Sequence, residues 1–482
     1  MIHKAIPLWI VFIAFSFTTL FAQKKQLPFS ISEKRKLHPK DYKEKREGWY
    51  PTIFPLLGSD PNAGIAFGTA AFLFNNKDRT DPFFAYTPFR SKYSLVAVRT
   101  TKNVALFMAI YESPFFLDSK WGVKLKALSS TNPRATYFGN DSKSLRSLTY
   151  RRRSQADAEK VTNAKLIDYE ENLAYRRAGK TTNILRPYET DIMYNRYILK
   201  RQMAALTFSR SIWRGVFNFV GGFLFSRVGI ETFDDHVFSV PDPVFGGSAV
   251  PILNSPVPTI SGKTKVTEDS EAEEIVGIQG GFVNTFRLAL VYDTRDLTTN
   301  PSDGVFAELT YEQSEPLLGS DFFFHRNFLQ IRSYLLFFPK WLQKSILASR
   351  IGISKTNGES PFFESQRIWG TQRQIIALGG NYTLRGYVIN RFVAKVIGFA
   401  SFELRHRLLT WRYEKNFLGF YLTPIYDIGK VWDTVREVDF TNYKHSYGLG
   451  LRVVINHAMV LSLDYSQSRE SRQFFMSFNH AF

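Results

Sequence analysis

The sequence contains no cysteine among its 482 residues. This absence excludes disulfides, thiolate metal sites, a cysteine nucleophile and a lipid-modified N-terminal cysteine. After residue 22, no stretch approaches the roughly 18 consecutive apolar residues that a membrane-spanning helix requires. Any membrane domain beyond that point must therefore be built from strands.

Catalytic and ligand-binding motifs are also missing. There is no H-E-x-x-H pattern, no phosphate-binding glycine loop and no G-x-S-x-G nucleophile elbow. The 8 histidines are scattered, and neither His406 nor His480 stands at ligand spacing. Asp293 and Asp464 are candidates for an acid–base pair, but we expect both to line an aqueous interior. We predict no catalytic residue, no cofactor, no metal site and no enzyme activity.

Aromatic residues and positive charge are abundant, with 45 Phe, 23 Tyr and a formal charge of +19. Aromatic residues suit strands and the girdles of membrane barrels. Lys and Arg are dispersed and lack the stacking platforms of a nucleic-acid groove, so no nucleic-acid partner is predicted. Residues 140–189 hold more basic than acidic residues, which predicts contact with anionic outer-membrane lipid, including lipopolysaccharide.

The first 48 residues are predicted to lie outside the folded domain. Met1–Ala22 has the layout of a secretory signal peptide, with Lys4 before the apolar run and Ala22 suited to cleavage. A membrane anchor is the alternative for this segment. Residues 23–48 are polar and basic, and we expect a flexible periplasmic arm.

Between residues 49 and 482, apolar and polar residues alternate with period two in short segments, interrupted by the irregular stretches 140–189 and 231–275. Sixteen such segments predict an all-β, 16-stranded antiparallel transmembrane barrel, with a soluble β-sandwich as the alternative. Gln473–Phe482 is the last predicted strand, with Phe474 and Phe482 on its outer face. The longest connections follow odd-numbered strands, as expected for external loops. Asn76–Arg90 is the exception, a long connection on the periplasmic side.

The connection between the eleventh and twelfth strands carries the glycine-rich stretch Leu378–Phe392. Arg385 has no acid beside it in this stretch and needs carboxylate partners from elsewhere if it is enclosed. Alternation places Glu403 and Asp427 on the inner faces of the next two strands. A bidentate contact with Arg385 is one outcome. The alternative is that both acids are ordinary wet lumen residues.

Several motifs together resemble the BamA/TamA superfamily of outer-membrane barrels, the bacterial surface antigen family. The matching motifs are Val291–Asp296, Gly379-Gly380, Leu384–Tyr387, Phe402–Arg405, Tyr426–Trp432, Tyr447–Arg452 and the terminal Phe482. The resemblance implies a sixth external loop that is folded into the barrel, with Arg385 on Glu403 and Asp427. We call this arrangement the latch. Its expected residues are Gly379, Gly380, Arg385, Gly386, Tyr387, Glu403, Asp427 and Gly429.

The resemblance also implies a function and partners. Phe482 would belong to the signal by which the barrel-assembly machinery inserts the chain into the outer membrane of a diderm bacterium. The barrel would assist insertion or export of polypeptide or lipid, and a passive channel or structural surface protein is the alternative. Residues 23–48 are too few for the periplasmic POTRA domains of the family, so a separate periplasmic partner protein is expected. A patatin-type lipase domain is not predicted.

Overall fold

The computed structural model describes residues 26–31, 33, 36–37, 42–43, 45–60, 62–151, 160–173, 193–234, 237–239, 256–258, 263–297, 300–337, 345–413, 416–455 and 459–482. The predicted signal peptide, residues 1–22, lies outside the described residues. So do parts of the predicted arm and of the two longest connections.

Sixteen strands form one closed antiparallel barrel, which confirms the predicted all-β architecture and strand number. In chain order they are β1 Trp49–Asp60, β2 Gly64–Asn75, β3 Ser91–Thr100, β4 Ala105–Ser113, β5 Trp121–Thr136, β6 Arg196–Ile212, β7 Phe217–Glu231, β8 Gly281–Asp293, β9 Gly304–Ser314, β10 Phe324–Phe337, β11 Ser345–Gly358, β12 Val396–Tyr413, β13 Asn416–Trp432, β14 Lys444–Ile455, β15 Met459–Gln467 and β16 Arg472–Phe478. Period-two alternation allows one face of each strand to be apolar and the other polar.

The two faces of the barrel wall differ in exposure. On β12, Phe402 and Leu404 are 36% and 43% exposed, whereas Glu403 between them is fully buried. Leu449 on β14 and Tyr465 on β15 are exposed in the same way. We call the side with exposed apolar residues the outer face and the opposite side the inner face. A continuous exposed apolar face matches the lipid-facing band of a membrane barrel.

The barrel closes at a weak seam between β1 and β16. These strands share one registered pair, Ser59 with Met476. By contrast, β1 pairs with β2 over its whole length, from Trp49 opposite Asn75 to Asp60 opposite Gly64. Because ladder pairing stabilises neighbouring strands, the seam is held less firmly than the β1–β2 contact.

The two rims of the barrel carry different connections. We call the rim at which β1 begins the arm-side rim and the opposite one the far rim. The far rim carries the long connections 137–195, 232–280 and 359–395. These contain the helices α1 Leu166–Leu173, α2 Lys265–Glu271 and α3 Phe362–Ser365. They also contain three two-stranded hairpins, namely Tyr150–Arg151 with Lys160–Val161, Val237–Ser239 with Pro256–Pro258, and Arg367–Trp369 with Gln374–Ile376.

Across the described residues, we find no helix with the length and apolar character needed to cross a membrane.

The described parts of the arm pack against the arm-side rim. The Phe29 ring lies 5.5 Å from that of Phe83 in the β2–β3 connection and 5.9 Å from that of Phe115. Lys45 Nζ donates to the Phe84 carbonyl at 2.6 Å, and burial lowers the pKa of Lys45 to about 8. The expectation of a flexible arm is therefore wrong at these positions. The long β2–β3 connection supplies a docking surface that alternation does not reveal.

Candidate functional site

The candidate site centres on the connection 359–395 between β11 and β12. Its second half, Leu378–Phe392, contributes fully buried apolar side chains such as Leu384. They form one cluster with inner-face residues of the strands, including Phe399 on β12 and Val431 on β13. The connection therefore packs against the inner faces of the strands that follow it.

The stretch Leu378–Phe392 is closed on itself by main-chain hydrogen bonds. Leu378 and Phe392 exchange two bonds, at 3.2 and 3.1 Å, and Gly380 N donates to the Tyr387 carbonyl at 3.0 Å. Gly379 has φ +108°, and a Cβ there would lie 2.0 Å from the Val388 carbonyl oxygen. Only glycine fits this position without moving the chain.

Arg385 lies at the tip of this stretch and is fully buried. Its main-chain N and its Nε donate to Asp427 Oδ2 at 3.1 and 2.9 Å, and its Nη2 donates to Oδ1 at 2.8 Å. Its Nη1 contacts Glu403 Oε1 at 2.5 Å. Burial alone would lower the pKa of Arg385, but Asp427 and Glu403 raise it well above its ordinary value. The guanidinium is therefore charged and fully partnered.

Three further charged residues extend this contact into a closed network. Arg452 on β14 pairs with Glu403 at 3.3 Å and with both oxygens of Asp464 on β15. Arg405 Nη2 lies 2.8 Å from Glu403 Oε2, and Arg385 Nη1 lies 3.6 Å from Asp464 Oδ2. We call this set, Arg385, Arg405, Arg452, Glu403, Asp427 and Asp464, the charge cluster. Three cations face three anions, so it is neutral overall.

The remaining residues predicted for the latch lie around the charge cluster. A Cβ on Gly386 would lie 2.4 Å from the main-chain carbon of Gln467, at the end of β15. Tyr387 is buried with its ring edge-on to Phe392, and burial raises its pKa to about 12. Gly429 on β13 leaves room for Leu378, whose Cδ1 would lie 3.0 Å from an added Cβ. At Gly386 and Gly429, the stretch Leu378–Phe392 approaches the barrel strands too closely for a larger side chain.

The structure corrects the predicted position of Phe482. β16 ends at Phe478, and Asn479 turns the chain with φ +68°. Phe482 is 4% exposed, and its ring lies 4.9 Å from the guanidinium of Arg350 on β11. It therefore lies on the inner side, whereas alternation predicted the outer face with Phe474. The left-handed turn at Asn479 breaks the alternation.

The last residues also contact the charge cluster. Arg405 Nη2 donates to the Phe482 carbonyl at 3.0 Å, so Arg405 joins Glu403 to the end of the chain. Arg373 in connection 359–395 donates to the His480 carbonyl at 2.8 Å. Arginines thus join both connection 359–395 and β12 to the residues after β16. The sequence did not indicate these contacts.

A second set of buried ion pairs holds the first half of the connection. Glu364 in α3 pairs with Arg201 on β6. Burial alone would raise the pKa of Glu364, but Arg201 and Arg367 lower it to about 2. Glu312 on β9 pairs with Arg326 at 3.2 Å and also with Arg287. Sequence reasoning missed these pairs, although alternation places Arg201 and Glu312 on inner faces.

Neither Asp293 nor Asp464 forms an acid–base pair with the other. Asp293 accepts from Arg295 Nε at 2.9 Å, and Asp464 is held by Arg452. Within the described ranges, no group of three or more His, Asp or Glu side chains is placed to hold a metal ion.

Comparison with known proteins identifies the family. The model of the Omp85 superfamily domain matches residues 124–473. The chain belongs to the Omp85 superfamily. A second model, a domain of unknown function (DUF5982), matches residues 27–90, which hold most of the arm, the β1–β2 hairpin and the β2–β3 connection. No curated protein matches the sequence.

A solved barrel structure shares the fold at low sequence identity. CdiB from Escherichia coli aligns with a TM-score of 0.50 and 9% identity, over 89% of this chain and 62% of its own. BamA from Haemophilus ducreyi lacking POTRA domains 1–3 aligns with a TM-score of 0.48 and 13% identity, over 90% of this chain and 70% of its own. The chain thus spans less than two thirds of CdiB. Omp85 barrels are outer-membrane proteins of Gram-negative bacteria that act in assembly and transport.

Proposed function

We propose that this Omp85 barrel assists the insertion or export of polypeptide or lipid across the outer membrane. The observation that carries the proposal is the charge cluster that ties Arg385 to Glu403 and Asp427. In this proposal, connection 359–395 is the inward-folded sixth external loop. The contact of Arg385 with Glu403 and Asp427 is the latch. The proposed latch residues are Gly379, Gly380, Arg385, Gly386, Tyr387, Glu403, Asp427 and Gly429.

The energetics of the charge cluster support a positioning role. Desolvating six charges offsets much of their mutual attraction, so the cluster adds little net stability. Loss of one partner leaves a buried uncompensated charge, at a cost of roughly 3–5 kcal/mol. Such a network favours one position of the loop over all others. A latch of this kind suits a barrel whose interior must be blocked at rest.

The seam between β1 and β16 supports passage through the wall. Because the seam has one registered pair, Ser59 with Met476, separating its two strands requires less free energy than separating β1 from β2. An unpaired strand edge can template the pairing of a new strand. In this proposal the same opening also admits a lipid sideways. We therefore propose that β1 and β16 separate during activity while the latch keeps the rest of the barrel in place.

Orientation and partners follow from the same proposal. The arm-side rim faces the periplasm, where a periplasmic partner protein is proposed to act, and the far rim meets lipopolysaccharide. Signal-peptide-directed export brings the chain to the periplasm. Phe482 forms part of the signal for insertion by the barrel-assembly machinery, and it then folds inward onto Arg350 and Arg405.

A complementation experiment tests this function. A strain that lacks the gene receives the wild-type chain, Arg385→Ala or the control Gly229→Ala, whose added Cβ meets nothing closer than 3.7 Å. The proposal predicts altered outer-membrane protein or lipid composition in the deletion strain. The wild type and the control restore it, and Arg385→Ala does not. Unaltered composition, together with a large steady conductance of the purified barrel in planar bilayers, would instead support a passive channel.

A further inference from the structure

The inner face of the barrel carries many buried charged residues on one side and a row of apolar residues on the other. On β9–β15 it carries buried charged residues such as Glu308, Arg350 and Glu403. On β1–β6 a continuous cross-strand row is apolar. The row consists of Phe54, Ala70, Val96, Met108, Leu128 and Met203, each registered with the next. We call these six residues the apolar wall.

Strand pairing shows that the apolar wall faces inward. Glu312 is registered with Arg287, which is registered with Gly222 on β7. Gly222 is registered with Thr207, and Thr207 with Lys124 on β5. Leu128 has the same parity as Lys124 and so shares its inner face. The neighbouring residues of opposite parity, such as Leu125 at 46%, are the exposed ones of the outer face.

The apolar wall is only partly covered. Ala70 is buried, but the other five residues are all partly exposed. Among the described residues, no hydrogen bond or ion pair joins connection 359–395 to β1–β4. These five side chains are therefore accessible from the barrel interior. Five partly exposed apolar side chains inside a barrel resemble a binding surface more than a water-filled channel, whose lining is polar.

Charged residues lie beside the apolar wall toward the arm-side rim. Glu112 pairs with Lys92 at 2.5 Å and with Lys124 at 2.9 Å. Lys126 follows on the same inner face of β5, next to Leu128. No carboxylate lies within 4 Å of its Nζ in the part of the chain that the structure describes. An apolar surface that ends at an unpaired cation is complementary to an anionic amphiphile.

We propose that the apolar wall binds the acyl chains of an anionic phospholipid, with the phosphate at Lys126. The chemistry favours an acyl chain over a polypeptide. The wall offers no donor or acceptor side chain, so an extended peptide lying on it would leave main-chain groups unpaired. Met108 and Met203 supply flexible surface that adapts to a mobile chain. Anionic phospholipid would then be the substrate class of the proposed function. Its transport rests on that function, whereas its binding to the wall does not.

Lipid retention by the purified full-length barrel tests the proposal. The wall variant is Met108→Gln with Leu128→Gln, a registered inner-face pair. The matched control is Ala109→Gln with Ala127→Gln, the registered outer-face pair on the same two strands. Each protein is exchanged into a phosphorus-free detergent, and bound phospholipid is counted by mass spectrometry. We expect the wall variant to retain roughly tenfold less lipid because it places two amides against the acyl chains. The outer-face control retains the wild-type amount.

A photo-crosslinker at Met108 in the otherwise wild-type chain gives a second readout if the wall variant does not fold. Anionic phospholipid adducts at Met108 support the proposal, and Lys126→Gln should shift these adducts toward zwitterionic lipid. Equal lipid retention in wild type and wall variant overturns it. Polypeptide adducts at Met108 overturn it as well. So do lipid adducts that form with the crosslinker at Ala109 in a matched protein but not with the crosslinker at Met108. Lipid binding without any phenotype of the deletion strain would reject the transport function and keep the site.

Discussion

Arg385 donates three hydrogen bonds to Asp427, one from its main-chain nitrogen and two from its guanidinium. The main-chain bond fixes the backbone of the loop, and the planar guanidinium fixes the orientation of the carboxylate. Lysine, a single point charge without a planar fork, cannot reproduce this geometry. The contact therefore specifies both the place and the orientation of the loop tip on β13.

The charge balance of the cluster makes Arg452 as necessary as Arg385. We expect Arg452→Met to cost about 3–5 kcal/mol of unfolding free energy because Asp464 and Glu403 lose a shared cation. Adding Asp464→Asn should recover part of the loss by restoring neutrality. Urea titration of the heat-modifiable band in lipid vesicles measures both. Arg436→Met, at an exposed position of the far rim, should change nothing. Equal effects of Arg436→Met and Arg452→Met would refute the importance of the balance.

Close approach of the loop to β15 makes Gly386 intolerant of a side chain. An added Cβ would lie 2.4 Å from the main chain at Gln467, so Gly386→Ala must displace the loop tip. We expect a loss of about 1–3 kcal/mol. Gly229→Ala is the matched control. A wild-type urea midpoint for Gly386→Ala would show that the loop does not lie against β15.

The weak seam predicts a position-specific effect of cross-linking. The chain has no cysteine, so Ser59→Cys with Met476→Cys introduces one defined disulfide across β1 and β16. We expect oxidation to abolish complementation of the deletion strain and reduction to restore it. Leu449→Cys with Tyr465→Cys, a registered pair of β14 and β15, serves as the control and should complement in both states. A fully active oxidised seam variant would contradict passage through the wall.

The buried Glu364–Arg201 pair predicts acid sensitivity of the loop's first half. The pKa of Glu364 falls from 4.5 to about 2, so its contribution is complete above pH 4.5 and is lost as pH falls toward 2. Glu364→Gln lacks this contribution, which is on the order of 3 kcal/mol. The stability difference between wild type and variant should shrink between pH 4.5 and pH 2. Parallel stability curves across that range would show that Glu364 titrates normally.

Alternation and connection length predicted much of this architecture. Period two separates Phe402 from Glu403, and the connection lengths distinguish the two rims. Alternation assigns a face but gives no height along the barrel axis, which depends on the stagger between strands. Arg452 and Asp464 therefore face inward by alternation, yet the contact of Arg452 with both Asp464 and Glu403 depends on the strand register.

Two other features depend on contacts that no local pattern encodes. Phe482 turns inward because Asn479 adopts the left-handed conformation. Residues other than glycine seldom adopt this conformation, so the local pattern does not predict the turn. Phe29 and Lys45 pack against the β2–β3 connection. Alternation predicts no contact for this connection. Both are tertiary effects that override the local pattern.

A double-mutant cycle on Arg385 and Asp427 tests whether these two residues together hold the loop against β13. The unfolding free energies of wild type, Arg385→Met, Asp427→Asn and the double variant are measured in the same vesicles. We expect a coupling energy of roughly 2–3 kcal/mol, because substitutions within one buried ion network do not have additive effects. Additive losses within about 0.5 kcal/mol would mean that the two residues do not interact. That result would contradict the latch.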